Sequence, residues 1–185
     1  FALFALGGFS TPVSNYTPDF LPMSIGLDST HLSARIIADY WIGDFFATVS
    51  GTYTYRSNIE LDRDNYYTTE LHLTNEVNMP DVATLNFRAG YRTHRLIAEA
   101  VVNSMTTLGG FDIRKNDMPF ASNTMNATTV GASCKYTPKH KLSFVGGANY
   151  TVSGRNMGQS TGFYAGAFYV LDFVKRDNTA KTTDN

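Results

Sequence analysis

The chain has 185 residues, with 15 basic and 16 acidic side chains and a formal net charge of −1, so nothing draws it globally toward nucleic acid. Its single cysteine, Cys134, excludes an internal disulfide and a multi-cysteine zinc centre. Aromatic residues make up 14% of the sequence, and 11 Tyr, 13 Phe and 15 Gly favour strands over helices; no run reaches the ~18 apolar residues of a membrane-spanning helix.

The sequence opens on FALFALGGFS without an initiator Met or a basic leader. This reads as a mature or truncated chain whose upstream part is missing. Residues 1–11 form the first expected strand. Residues 12–30 follow as a long loop, and their three prolines and large apolar residues point to a packed loop. From His31 the pattern becomes a weave of period two. Leu32, Ala34, Ile36, Ala38, Tyr40 and Ile42 share one face, and Ser33, Arg35, Ile37, Asp39 and Trp41 the other. Gly43-Asp44 makes a tight turn. A third strand then sets Phe45, Ala47, Val49, Gly51, Tyr53 and Tyr55 against Phe46, Thr48, Ser50, Thr52, Thr54 and Arg56.

The same alternation returns in LNFRAGYR (85–92), RLIAEAVVN (95–103), TTVGASCKY (128–136), KLSFVGGANYTV (141–152) and TGFYAGAFYVLDF (161–173). That makes eight strands. The connections alternate as well: 12–30, 62–82 and 109–125 are long, whereas Gly43-Asp44, Thr93-His94 and Pro138–Lys141 are short. Short turns at one end and long loops at the other describe an antiparallel up-and-down meander. The apolar faces of the seven strands after the first carry no charge. Tyr and Phe flank a band of Ala, Val, Leu, Ile and Gly on those faces, as in barrels whose outer surface meets lipid. The expected fold is therefore all-β, an antiparallel up-and-down transmembrane β-barrel over 1–173. About eight strands are seen here, as the C-terminal part of a larger barrel. A polar, flexible tail occupies 174–185.

On this reading Arg35, Arg56, Arg88, Arg92, Arg95, Lys135 and Lys141 face the lumen with Asp39, Glu99 and Asp172. Seven positive charges against three negative describe a path that favours anionic or polar solutes. The same residues could instead plug a narrow barrel with ion pairs, because an eight-stranded interior is just wide enough for side chains. The three long loops are candidate contacts for partner subunits.

No HExxH, GxSxG or phosphate-binding loop occurs, so neither an enzyme nor a metal or other cofactor is expected. His72 lies in a loop beside Glu70 and Glu76, which leaves an acid–base or metal role open as a minor alternative. Asp62–Asn65 lacks the Gly and distal Glu of a calcium loop.

The stretch GRNMGQSTGFYAGAFYVLDF, Gly154 to Phe173, resembles the last hairpin of bacterial outer-membrane barrel transporters. The nearest likeness is to the phenol-degradation-pathway and fatty-acid-transporter-like barrels. The final strand ends on Phe173 with Tyr169 and Leu171 in phase, similar to the signal read by the barrel-insertion machinery. Twelve residues follow it. The resemblance implies further strands upstream, an outer-membrane location among lipid, and passage or uptake of small polar, anionic or amphipathic solutes. The alternative is a structural barrel with a plugged lumen and partner-binding loops.

Overall fold

The computed structural model describes residues 1–14, 16–20, 26–139 and 141–171. His140, Asp172, Phe173 and the tail 174–185 lie outside the described residues. The main sheet holds eight strands: β1 (Ala2–Ser10), β2 (His31–Ile42), β3 (Phe45–Arg56), β8 (Val82–Arg92), β9 (Leu96–Thr107), β10 (Asn126–Lys139), β11 (Leu142–Arg155) and β12 (Thr161–Tyr169). The loop between β3 and β8 adds four two-residue strands: β4 (Ile59–Glu60), β5 (Tyr66–Tyr67), β6 (Leu71–His72) and β7 (Glu76–Val77). Among the described residues there is no α-helix, and the only helical turn is a 3-10 turn at Pro18–Phe20. Among the described residues no helix is long and apolar enough to cross a membrane.

Strand order is β1-β2-β3-β8-β9-β10-β11-β12, each antiparallel to the next. This is the meander expected from the alternation. Among the described residues the sheet is not closed into a barrel: β1 pairs only with β2 and β12 only with β11, leaving an open sheet with two edges. Several inner strands run beyond their expected ends. β8 starts at Val82 and β9 reaches Thr107 because Val82, Thr84, Thr106 and Thr107 are β-branched residues that continue the ladder. The expected turn Pro138–Lys141 is shorter than its sequence suggests. Pro138 belongs to β10, where a register shift between Tyr136 and Lys139 takes it out of the ladder, so its missing N–H is not needed.

Register keeps the two faces separate. Ala47, Ala89, Ala100, Ala132 and Ala148 are successive cross-strand partners, with Tyr40 and Phe163 at the ends of the row. This face stays open: Ile36 and Phe45 are 62% and 67% exposed, whereas Phe46 and Ser50 on the polar face are 5% and 6% exposed. The sheet curls toward its polar face. Two glycines on that face show how tightly. A Cβ at Gly90 would lie 2.1 Å from the Ala98 carbonyl, and one at Gly147 would lie 2.6 Å from the Ala132 carbonyl and from the Tyr164 ring. Any side chain there would force the neighbouring strand outward.

Tyrosines on the apolar face turn their hydroxyls to its two ends. Tyr91 donates to Asp44 at 3.1 Å beside the short turn and packs edge-on against Phe45 with centroids 5.3 Å apart. At the long-loop end the Tyr53 hydroxyl bonds to Asp81, and that of Tyr150 to the Gln159 amide. Tyr55 lies ten residues beyond Phe45, or ~34 Å along β3 at ~3.4 Å per residue.

Among the described residues the clustered apolar core lies in the loops. Ile59, Leu61, Tyr66, Val77, Met79 and Ala121 form one cluster, with Leu27 and Phe120 packed against it. It joins segments of all three long loops into a cap at one end of the sheet. Tyr66 stacks on His72 at 4.6 Å and on Phe120 at 5.5 Å. Arg63 lies over Phe120 and pairs with Asp19 at 2.8 Å.

Candidate functional site

The polar face forms a trough whose floor is set by register. Trp41, Phe46, Gly90, Glu99, Ser133, Gly147 and Tyr164 make one cross-strand row, and Asp39, Thr48 and Arg88 the next. A cavity of 330 Å³ runs from Phe4 on β1 to Glu99 on β9, lined also by Arg35, Asp39, Phe46, Arg88 and Arg92. A second, of 210 Å³, reaches Tyr164 on β12 from Arg88 and Glu99. Each spans five strands, which a flat sheet with strands ~4.8 Å apart could not wall on two sides. Arg88 and Glu99 border both.

Local chemistry fixes these groups. Arg35 Nε donates to Thr52 Oγ1 at 2.9 Å. The Thr48 hydroxyl donates to Asp39. Arg88 donates through Nε to Asn86 Oδ1 at 3.0 Å and through Nη1 to Glu99 Oε1 at 3.4 Å. Ser133 Oγ donates to the same Glu99 oxygen at 2.8 Å. The Arg92 guanidinium sits 4.3 Å from the centroid of Phe46. Glu99 is 14% exposed and Arg88 48%. A long ion pair at that exposure contributes about 1 kcal/mol or less, so stability alone is a weak reason for this concentration of charge. Three arginines face two carboxylates around the larger cavity, and the excess charge is positive.

Of the residues expected on the solute path, Arg35, Asp39, Arg88, Arg92 and Glu99 come together in this trough. Lys135 lies on the polar face in the row of Arg92 and Ile97, exposed and outside both cavities. Arg56 sits at the long-loop end of β3, remote from the trough. Arg95 precedes β9 in the Thr93–Leu96 turn and is exposed. Phe46, Thr48, Asn86, Ser133 and Tyr164 join the site without having been singled out. They share the parity of the charged residues, and that was the available signal.

His72 is held in the cap by Tyr66 and by a 2.8 Å hydrogen bond between its Nε2 and Thr68 Oγ1. Among the described residues no group of His, Cys, Asp and Glu is arranged to hold a metal ion.

Larger depressions lie over the apolar face. One of 920 Å³ covers Ala89, Ala98, Ala100, Ala132 and Cys134, and one of 600 Å³ covers Ala5, Ala34, Ile36 and Leu85. Small apolar side chains dominate both, and they offer little to a polar solute. Comparison with protein-family models, curated proteins and solved structures finds no match to this chain.

Proposed function

We propose that the chain is part of an outer-membrane β-barrel whose polar face lines a path for small polar, anionic or amphipathic solutes. The observation that carries this reading is the distribution of charge over the sheet. Each inner strand carries at least one charged residue: Arg35 and Asp39 on β2, Arg56 on β3, Arg88 and Arg92 on β8, Glu99 on β9, Lys135 on β10 and Arg155 on β11. Among the described residues the apolar face carries charge only at its two rims, each time after a bulge: Lys139 opposite Leu142 at the short-turn end, and Arg155, which pairs with Asp112, at the loop end. A soluble sheet would turn this arrangement inside out.

The edge strands support closure into a barrel. ALFALGGFS and TGFYAGAFY contain neither charge nor proline, the usual guards of a water-exposed edge. Phe4 and Leu6 on β1, and Tyr164 and Phe168 on β12, leave the polar face greasy at both edges. Such edges suit pairing, either with each other or with further strands. The tyrosine hydroxyls at the two ends of the apolar band suit the two membrane interfaces. Resemblance to the transporter barrels points the same way.

A structural barrel with partner-binding loops is the second reading, favoured by the compact cap over one end. Electrical recording from the protein in planar bilayers tests the first. Discrete conductance steps in potassium chloride are expected. A correctly inserted protein that passes no current would leave the structural reading standing.

A further inference from the structure

We propose that the short-turn rim of the apolar face binds an anionic phospholipid, with its phosphate on Arg95, Lys139 and Lys141 and an acyl chain in the depression beside them. The three cations stand at the ends of three adjacent strands, which lie ~4.8 Å apart. Arg95 precedes β9, and its carbonyl accepts the Thr137 N–H of β10 at 2.7 Å. Lys139 closes β10 and pairs with Leu142. Lys141 precedes β11, and its carbonyl accepts the Val170 N–H at 2.8 Å. All three are exposed, and among the described residues none of their side chains has an ion pair or hydrogen bond. Acids in this half of the sheet are already engaged: Asp44 accepts the Tyr91 hydroxyl, and Glu99 accepts from Arg88 and Ser133.

The bulge in β10 gives Lys139 its place. Simple alternation would put it on the polar face with Lys135. The register shift between Tyr136 and Lys139 moves it across. Lys139, Leu142 and Tyr169 then form the last cross-strand row of the apolar face. The next row inward is Leu96, Tyr136, Phe144 and Ala167, followed by Ala98, Cys134, Gly146 and Ala165. Charge, aromatic ring and small apolar side chain thus succeed one another over three rows. Headgroup, interface and hydrocarbon succeed one another in the same order across a bilayer leaflet. The 920 Å³ depression begins at the third row, over Ala98, Cys134 and Gly146, and continues over Ala100 and Ala132. Its small side chains leave room for a hydrocarbon chain to lie against the sheet.

The opposite rim differs. There Arg63 pairs with Asp19, Arg114 with Asp117 and Arg155 with Asp112, so its cations already have acids. At the short-turn rim the positive charge is unanswered, and a phosphodiester supplies the missing anion through charge-assisted hydrogen bonds. The adjoining apolar depression selects a ligand that carries a hydrocarbon chain as well, which free phosphate lacks. Basic residues at a membrane surface attract anionic lipid in this way. The inference rests on the outer-membrane reading, in which the short turns meet the periplasmic leaflet, and it names the lipid that the outer surface takes there.

The test is electron paramagnetic resonance of the full chain reconstituted into phosphatidylcholine vesicles. The vesicles carry a trace of chain-labelled phosphatidylglycerol or of chain-labelled phosphatidylcholine, and the spectrum gives the fraction of each lipid immobilised on the protein. Phosphatidylglycerol should associate at least about fivefold more strongly, the factor for roughly one well-placed basic residue at a membrane surface. Lys139→Gln combined with Lys141→Gln should remove most of that preference. Arg114→Gln combined with Lys115→Gln, in the loop 108–125, removes the same charge from the other end and should leave the preference intact. Equal association of the two lipids with the unaltered protein, or an undiminished preference in Lys139→Gln/Lys141→Gln, would overturn the site. The experiment requires no permeation. Immobilisation of both lipids without preference fails the site and leaves the membrane reading standing, whereas immobilisation of neither fails the membrane reading and the site with it.

Discussion

The sheet and its cap follow opposite rules. In the cap, apolar side chains are hidden: Val77 is fully buried, and Ile59, Leu61 and Met79 nearly so. In the sheet, many large Leu, Ile, Phe and Tyr side chains are exposed, and the buried positions include Ser50, Thr107 and Thr151 beside Phe46 and Val82. Burial of apolar area from water can stabilise the cap directly. It cannot do so for the sheet, whose apolar side faces away from the rest of the chain. The sheet relies on its ladder of backbone bonds and, on the proposed reading, on lipid over its outer face. One chain therefore contains a part built for water and a part built, on the proposed reading, for lipid.

The sharpest way to separate the two parts is to empty the cap core. Ile59→Ala should lower local cap stability by about 2–5 kcal/mol, the usual cost of deleting a large buried aliphatic group. Protease sensitivity and hydrogen exchange should rise in 57–81 and 108–125 and stay unchanged in β9 to β11. Equal loosening of the sheet would show that the two regions are one cooperative unit.

Next in size is the contrast between the faces of a single strand. Ala132→Arg, in the middle of the apolar face, should cost about 2–4 kcal/mol in unfolding from bilayers. Ser133→Arg, one residue on, points to the polar face beside Glu99 and should cost far less. Similar penalties would remove the distinction between the faces.

A smaller effect on stability, with a larger one on selectivity, is expected in the trough. Arg88→Gln combined with Arg92→Gln should move the reversal potential toward cation preference while the protein still inserts. An unchanged reversal potential with a marked drop in melting temperature would mean that these charges plug the interior.

Much of this organisation was legible in the sequence, because a period of two is a local property. The strands around Ile36, Phe45, Ala89 and Phe144, and the parity of Arg35, Asp39, Arg88 and Glu99, follow from alternation alone. What alternation cannot supply is register. That is why the meeting of Arg88, Glu99 and Ser133, residues far apart in the chain, was not foreseen. Nor was the row of five alanines. The hairpins of 59–77 were missed because their strands are two residues long and are held by tertiary contacts with Phe120 and Leu27 rather than by pattern. Pro138 misled because a bulge let it stay within a strand.

The smallest expected effect concerns acid. Arg155 and Asn156 hydrogen-bond to Asp112 and hold its carboxyl below its ordinary value of 3.8. A depressed folded-state value means that this tie is fully present above that pH and is lost as pH falls through the lower, folded-state value. Exchange protection at Phe111 and Thr124 should therefore decline only in that acidic range, and Asp112→Asn should flatten the dependence. A decline centred near neutral pH would point to a different group.

The division into an outward apolar face and an inward polar one can be read most directly at the single native cysteine. Cys134 is exposed on the apolar face, between Ala98 and Gly146 in adjacent strands. A nitroxide attached there, in the protein reconstituted into bilayers, should collide readily with dissolved oxygen and hardly at all with a water-soluble nickel complex. A label at Ser133→Cys in a Cys134→Ser background should reverse that preference. Ready access of the nickel complex to Cys134, equal to that at position 133, would contradict a lipid-facing outer surface.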